Sequence, residues 1–95
     1  MSDAAATPQS SSGGPQIVVY SRPMCSYCFL LRSALRRAEL PFTEVNIWDD
    51  PQAAAFVRSV AGGNETVPTV TVGEVAVVNP SAAHVRELWA GGIRR

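Results

Sequence analysis

Cys25 and Cys28 are the only cysteines in this 95-residue chain, and just Ser26 and Tyr27 separate them. Thiols at that spacing can close and reopen a disulfide by thiolate exchange. They follow a short apolar run, Ile17-Val18-Val19-Tyr20, and precede a helical pattern. If the helix begins near Ser26, Cys25 lies at its N-terminus and Cys28 sits one turn inside. Free backbone N–H groups and the positive end of the helix dipole then stabilise a thiolate at Cys25. Arg22 adds positive charge nearby. Such settings lower a cysteine pKa from ~8.5 to between ~3.5 and ~7.5. Cys28, facing the core, is expected to stay a thiol.

A low pKa serves departure more than attack. A fall of about three units raises the thiolate fraction near neutral pH by only about 10- to 30-fold, because the fraction saturates. Intrinsic nucleophilicity falls by roughly 15- to 30-fold over the same interval. The gain is in the leaving step, where a mixed disulfide on Cys25 releases a stable thiolate. Turnover of a Cys25 mixed disulfide is the chemistry this placement favours.

Other chemistries fit less well. Two cysteines do not fill a four-ligand zinc site, and His84 belongs to a distant segment, read as a surface helix residue. A [2Fe–2S] cluster would need a second chain and external thiols. Lys plus Arg and Asp plus Glu balance at eight each, so no basic block points to nucleic acid or an anionic membrane. No stretch approaches the ~20 apolar residues of a membrane span. Residues 1–15, rich in Ala, Ser, Gly and Pro, read as a flexible tail rather than a signal peptide. One domain over 16–92, a cytoplasmic location and a monomer are expected; a cysteine pair in that compartment is more often catalytic or metal-binding than structural.

The elements that position the pair follow from periodicity. Ile17–Tyr20 reads as a strand covered on both faces. In 26–39, Cys28, Leu31, Leu35 and Ala38 recur at helical spacing, with Pro41 beyond. Arg32 and Arg36 read as the solvated face of that helix. Phe42–Ile47 alternates as a strand, and Trp48-Asp49 reads as loop packing after it. Asp50-Pro51 is a helix start, Ala53, Phe56, Val57 and Val60 supply its apolar face, and Gly62-Gly63 its end. Thr69–Val72 and Val75–Val78 flank Gly73-Glu74, which suits a type II′ hairpin. Asn79-Pro80-Ser81 opens a last helix with Ala82, Val85, Leu88 and Trp89 inward, and Gly91-Gly92 is expected to stop it. The order β-α-β-α-β-β-α predicts an α/β fold with a mixed four-stranded sheet and helices on both faces.

With Cys25-Ser26-Tyr27-Cys28, with Thr66-Val67-Pro68-Thr69 about forty residues later and with the final helix, the chain from about Gln16 to Leu88 resembles the glutaredoxins of the thioredoxin superfamily. Ala53-Ala54-Ala55-Phe56-Val57, Gly62-Gly63-Asn64-Glu65-Thr66-Val67-Pro68-Thr69-Val70 and Asn79-Pro80-Ser81 make it similar to the actinobacterial mycoredoxins in particular. The resemblance implies a thioredoxin-like fold, Cys25 as nucleophile and Cys28 as resolving cysteine. It implies a cis peptide before Pro68 and a Val67 backbone that pairs with substrate like an added strand. Arg22, Met24, Ser26, Tyr27, Thr66, Val67, Pro68, Asn79 and Ser81 are the thiol-cofactor and substrate contacts it implies. For Ser81 and Asn79, helix capping is the competing role.

One departure narrows the thiol. Glutathione-using relatives carry Gly-Gly-X-Ser/Thr-Asp before the last helix, where the helix start and the aspartate hold the charged ends of glutathione. This chain has Val78-Asn79-Pro80-Ser81-Ala82 there. Proline removes a backbone donor. Mycothiol, a sugar–cysteine conjugate, lacks those charged ends. The expected activity is reduction of mycothiol–protein mixed disulfides by a monothiol route, with mycothiol as reducing co-substrate, mycothiolated proteins as substrates and no tightly bound cofactor or metal. The competing readings are an electron donor to ribonucleotide reductase recharged by thioredoxin reductase, and the iron–sulfur module.

Overall fold

The computed structural model describes residues 14–93, so most of the expected tail, residues 1–13, lies outside the described residues. β1 (Ile17–Ser21) is an inner strand. It pairs in parallel with β2 (Thr43–Asn46) and antiparallel with β3 (Thr69–Val72), and β3 pairs antiparallel with β4 (Val75–Val78). The sheet order is β2-β1-β3-β4. α1 (Ser26–Arg37) joins β1 to β2, α2 (Pro51–Val60) joins β2 to β3, and α3 (Ala82–Ile93) follows β4. The expected order of elements and mixed sheet are met.

Strand alternation divides the core in two. Ile17, Val19, Val70 and Val72 face α1 and α3, where they pack with Leu31, Leu35, Leu40 and Val85. On the opposite face Ile47 and Val67 pack with Ala53, Ala54 and Val57 of α2, and Tyr20 meets Phe56 with ring centroids 5.1 Å apart. β1 is therefore apolar on both sides because both sides are covered, as its unbroken hydrophobic run required.

The helix ends follow local chemistry. Asp50 caps α2 by accepting from the N–H groups of Gln52 and Ala53, with Pro51 at the first helical position. Gly62, at φ +68°, turns the chain out of α2, and the Gly63 N–H donates to the Arg58 carbonyl. α1 ends at Arg37, two residues short of expectation. Glu39 takes the left-handed conformation at φ +59°, its N–H donates to the Arg36 carbonyl, and the Leu40 N–H donates to the Leu35 carbonyl. This is a Schellman ending with a non-glycine residue at its strained position. Glu39→Gly is therefore expected to raise stability by about 0.5–1 kcal/mol, seen as a rise of a few degrees in Tm.

Gly91-Gly92 does not stop the last helix: α3 runs through both to Ile93. Gly92 answers a packing demand instead. A Cβ at Gly92 would sit 2.6 Å from Cγ of Pro15, and one at Gly73 would sit 3.1 Å from Cβ of Pro15. The segment entering β1 presses against both, so the missing side chains admit a close approach. Gly73 also supplies the positive φ, +59°, at the first turn position between β3 and β4.

Candidate active site

Ser21 ends β1, and the chain turns through Arg22, Pro23 and Met24 into α1. Cys25 is the N-cap of that helix, with extended backbone angles of φ −103° and ψ 107°. Its carbonyl accepts from the Phe29 N–H at 3.0 Å, and its sulfur accepts from the Cys28 N–H at 3.2 Å. The sulfur thus stands where a serine or aspartate oxygen would cap a helix. The first turn of α1 holds no acidic residue, and Arg36 and Arg37 occupy the last turn. Nothing in that first turn opposes negative charge at the sulfur, and the helix dipole favours it.

The two cysteines are unequal. Cys25 is half-buried, whereas Cys28 is 0% exposed and packs with Ile47, Ala53, Val57 and Val67. Their Cα atoms are 5.2 Å apart and the sulfurs are close enough to form a disulfide. The Val67–Pro68 peptide is cis. The Val67 carbonyl oxygen lies 4.0 Å from the Cys25 sulfur, so the segment before β3 walls one side of that sulfur. Among the described residues no group of three or more His, Cys, Asp or Glu could hold a metal ion.

The remaining expected contacts separate into groups. Arg22, Met24 and Ser26 gather with Cys25 along one open groove, and Met24 is fully exposed at φ +62°. Tyr27, two positions after Cys25, is 67% exposed. Thr66 turns its carbonyl to the buried Thr69 hydroxyl, which donates at 2.8 Å and holds the approach to Pro68. Asn79, at φ +51°, donates its N–H to the Pro68 carbonyl at 2.7 Å, which fastens the start of the last connection to the Val67–Pro68 wall. Ser81 caps α3, its hydroxyl accepting from the His84 N–H at 3.0 Å. Capping, the competing role, is thus visible for Ser81.

Six groove residues escape the sequence reading of the site: Ser21, Pro23, Phe29, Arg32, Glu44 and Asn46. Arg32 is not a freely solvated side chain. It is partly buried and ion-paired to Glu44 on the edge strand, and Glu44 also accepts from the Ser21 hydroxyl at 2.7 Å. Ser21 is 2% exposed, so this bond satisfies a polar group that the core side of β1 would otherwise strand. Phe29 and Arg32 stand four and seven positions after Cys25, a spacing that puts them on the Cys25 face of α1 and was available as a signal. Trp48, expected to pack in its loop, is 63% exposed; the Asn46 side chain holds that turn by accepting from the Trp48 N–H.

Comparison with known proteins agrees with this architecture. The family model described as Glutaredoxin matches residues 17–77. The chain belongs to the glutaredoxin family. Like its relatives, this glutaredoxin is similar well beyond the cysteine pair. It is 41% identical over 71 residues to a protein of Mycobacterium tuberculosis named as a glutaredoxin, covering 74% of this chain and 84% of the relative. It is 34% identical over 70 residues to Mycoredoxin 1 of Corynebacterium glutamicum, covering 73% of this chain and 86% of that one. Among solved structures, the glutaredoxin-like NrdH-redoxin of Escherichia coli superposes with a TM-score of 0.66 at 25% identity, covering 77% of this chain and 93% of that one. The family implies thiol–disulfide oxidoreductase activity, for which the Cys25–Cys28 pair is chemically equipped. No helix among the described residues is long and apolar enough to cross a membrane.

Proposed function

We propose that this protein reduces mixed disulfides between proteins and mycothiol through Cys25. The observation that carries the reading is the inequality of the cysteines: a half-buried sulfur capping α1, and a second sulfur sealed in the core one turn later. In the first step the Cys25 thiolate attacks the mycothiol sulfur, the protein–mycothiol bond breaks, and the protein thiol departs and takes up a proton. In the second, a mycothiol thiolate attacks the same sulfur, forming mycothiol disulfide and releasing Cys25 as a thiolate. The helix start favours that departing charge. The Val67 backbone holds the polypeptide beside the nucleophile, and Cys28 forms a transient disulfide with Cys25 on a side path.

Similarity to Mycoredoxin 1 and the absence of the Gly-Gly-X-Ser-Asp pattern support mycothiol as the co-substrate. A cytoplasmic monomer is the form we propose. The test is a reductant comparison on a mycothiolated peptide. Mycothiol is expected to support turnover well above glutathione or thioredoxin reductase with NADPH; equal use of glutathione would sink the assignment. A dithiol electron donor to ribonucleotide reductase is the second reading, supported by the reach of Cys28 to Cys25 and by the likeness to NrdH-redoxin, whose activity profile is described as thioredoxin-like. Fast recharging by thioredoxin reductase, with no gain from mycothiol, would favour it.

A further inference from the structure

The turn that leads into Cys25 does not hold itself. Arg22, Pro23 and Met24 make no backbone hydrogen bond among the described residues. Met24 is fully exposed, yet its φ of +62° lies in the left-handed region that side chains disfavour. A residue keeps such a conformation only when its surroundings impose it. With nothing inside the turn to do so, the constraint comes from the two ends.

Both ends meet at one atom. On the β1 side the Ser21 carbonyl accepts from the Ile47 N–H at 2.8 Å, and the Ser21 hydroxyl donates to Oε2 of Glu44 at 2.7 Å. On the α1 side the Arg32 guanidinium, in the second turn of the helix, is paired to that same Oε2. A single carboxylate oxygen on the edge strand thus ties the last residue of β1 to the helix that Cys25 caps. The Arg32–Glu44 pair is also more shielded from water than the Arg58–Glu65 pair, so it is less screened.

We propose that Glu44 is a positioning residue for Cys25: by clasping Ser21 and Arg32 it fixes the turn between them, keeps Met24 left-handed and holds the Cys25 sulfur at the helix start beside the Val67 carbonyl. The proposal rests on Cys25 being the attacking sulfur, as read above. Thiolate exchange needs the attacking, central and leaving sulfurs in line, and a misplacement of about 1 Å can cost about 10²-fold in rate. Glu44 acts through the turn and not on the sulfur itself.

The test uses the reduced full chain and a symmetric disulfide of one cysteine peptide. In a single turnover the Cys25 thiolate attacks either sulfur, the peptide disulfide breaks, and one peptide thiol departs and takes up a proton. Alkylation of Cys25 by iodoacetamide is measured beside it, because that small reagent needs the thiolate but no alignment with Val67. Glu44→Ala is expected to slow exchange about 10-fold and to leave alkylation within about 2-fold. Glu44→Gln keeps an oxygen that can accept both bonds, and is expected to retain exchange within about 3-fold of the wild type. Met24→Gly removes the strain that the clasp maintains, and is expected to slow exchange with no loss of Tm. Val72→Ala, in the core at the far end of β3, is expected to lower Tm more than Glu44→Ala does and to keep the full exchange rate.

An unchanged exchange rate in Glu44→Ala or Met24→Gly would overturn the proposal. So would an equal fall in alkylation, an equal fall in Glu44→Gln, or a comparable fall in Val72→Ala. Cys25→Ser keeps the two failures apart. Exchange that persists in it removes Cys25 as the attacking sulfur and the role of the clasp with it. Full loss in it, beside an unimpaired Glu44→Ala, overturns the clasp alone.

Discussion

Cys25→Ser is expected to cut reduction of a mycothiolated peptide by more than about 10³-fold, because a serine hydroxyl stays un-ionised at neutral pH and cannot replace the thiolate. The fold should survive. Cys25 is an N-cap whose sulfur accepts the Cys28 N–H, and serine is among the preferred residues for that role. A matching thermal transition beside a dead enzyme would separate chemistry from stability. Cys28→Ser is expected to retain most of the activity, since in the proposed monothiol route mycothiol rather than Cys28 resolves the adduct. Its cost is structural: a hydroxyl placed at a fully buried position loses its hydration unless it finds a partner. Cys28→Ala removes that penalty and provides the cleaner comparison. Full loss of activity in both Cys28 variants would instead establish an obligatory dithiol cycle.

Leu35→Ala is expected to carry the largest stability effect. Leu35 is 0% exposed and sits where α1 meets β1, β3 and α3. Truncating a buried leucine costs about 2–5 kcal/mol, made of lost transfer energy and the cavity left behind. For a domain of this size that is a fall of about 10–40 °C in Tm, measured by circular dichroism or calorimetry. Leu30→Ala on the same helix is the control. Leu30 is 59% exposed, and its loss is expected to change stability by no more than about 0.5 kcal/mol. Equal effects at the two positions would contradict the placement of α1 on the sheet. The contrast also bears on catalysis, because α1 carries Cys25 at its first turn and any tilt of the helix moves the sulfur relative to the Val67 carbonyl.

Much of this protein was legible before its fold. The period of Cys28, Leu31 and Leu35 defined a helix and its buried side, and the proximity of Cys25 to that helix start made the cysteines unequal. Asp50-Pro51, Gly62-Gly63 and Gly73 marked boundaries because capping and positive φ are demands that a few residues meet locally. Such features depend on neighbours in the chain, and a sequence displays them directly.

What the tertiary structure decided lies between distant residues. Arg32 read as a solvated cation because nothing within one turn pairs with it, yet the parallel register that sets Glu44 opposite Val19 brings a carboxylate to it from the edge strand. Ser21 continues the buried face of β1, and only the arrival of β2 supplies its acceptor. Gly91-Gly92 carried the local signature of a helix end, whereas the helix continues through both, and Gly92 leaves the space that Pro15, far away in sequence, fills. Local propensity encodes an element and its caps. Register and strand order, which depend on how whole faces pack, determine which elements meet, and here they set a polar groove on one side of Cys25 and the Val67–Pro68 wall on the other.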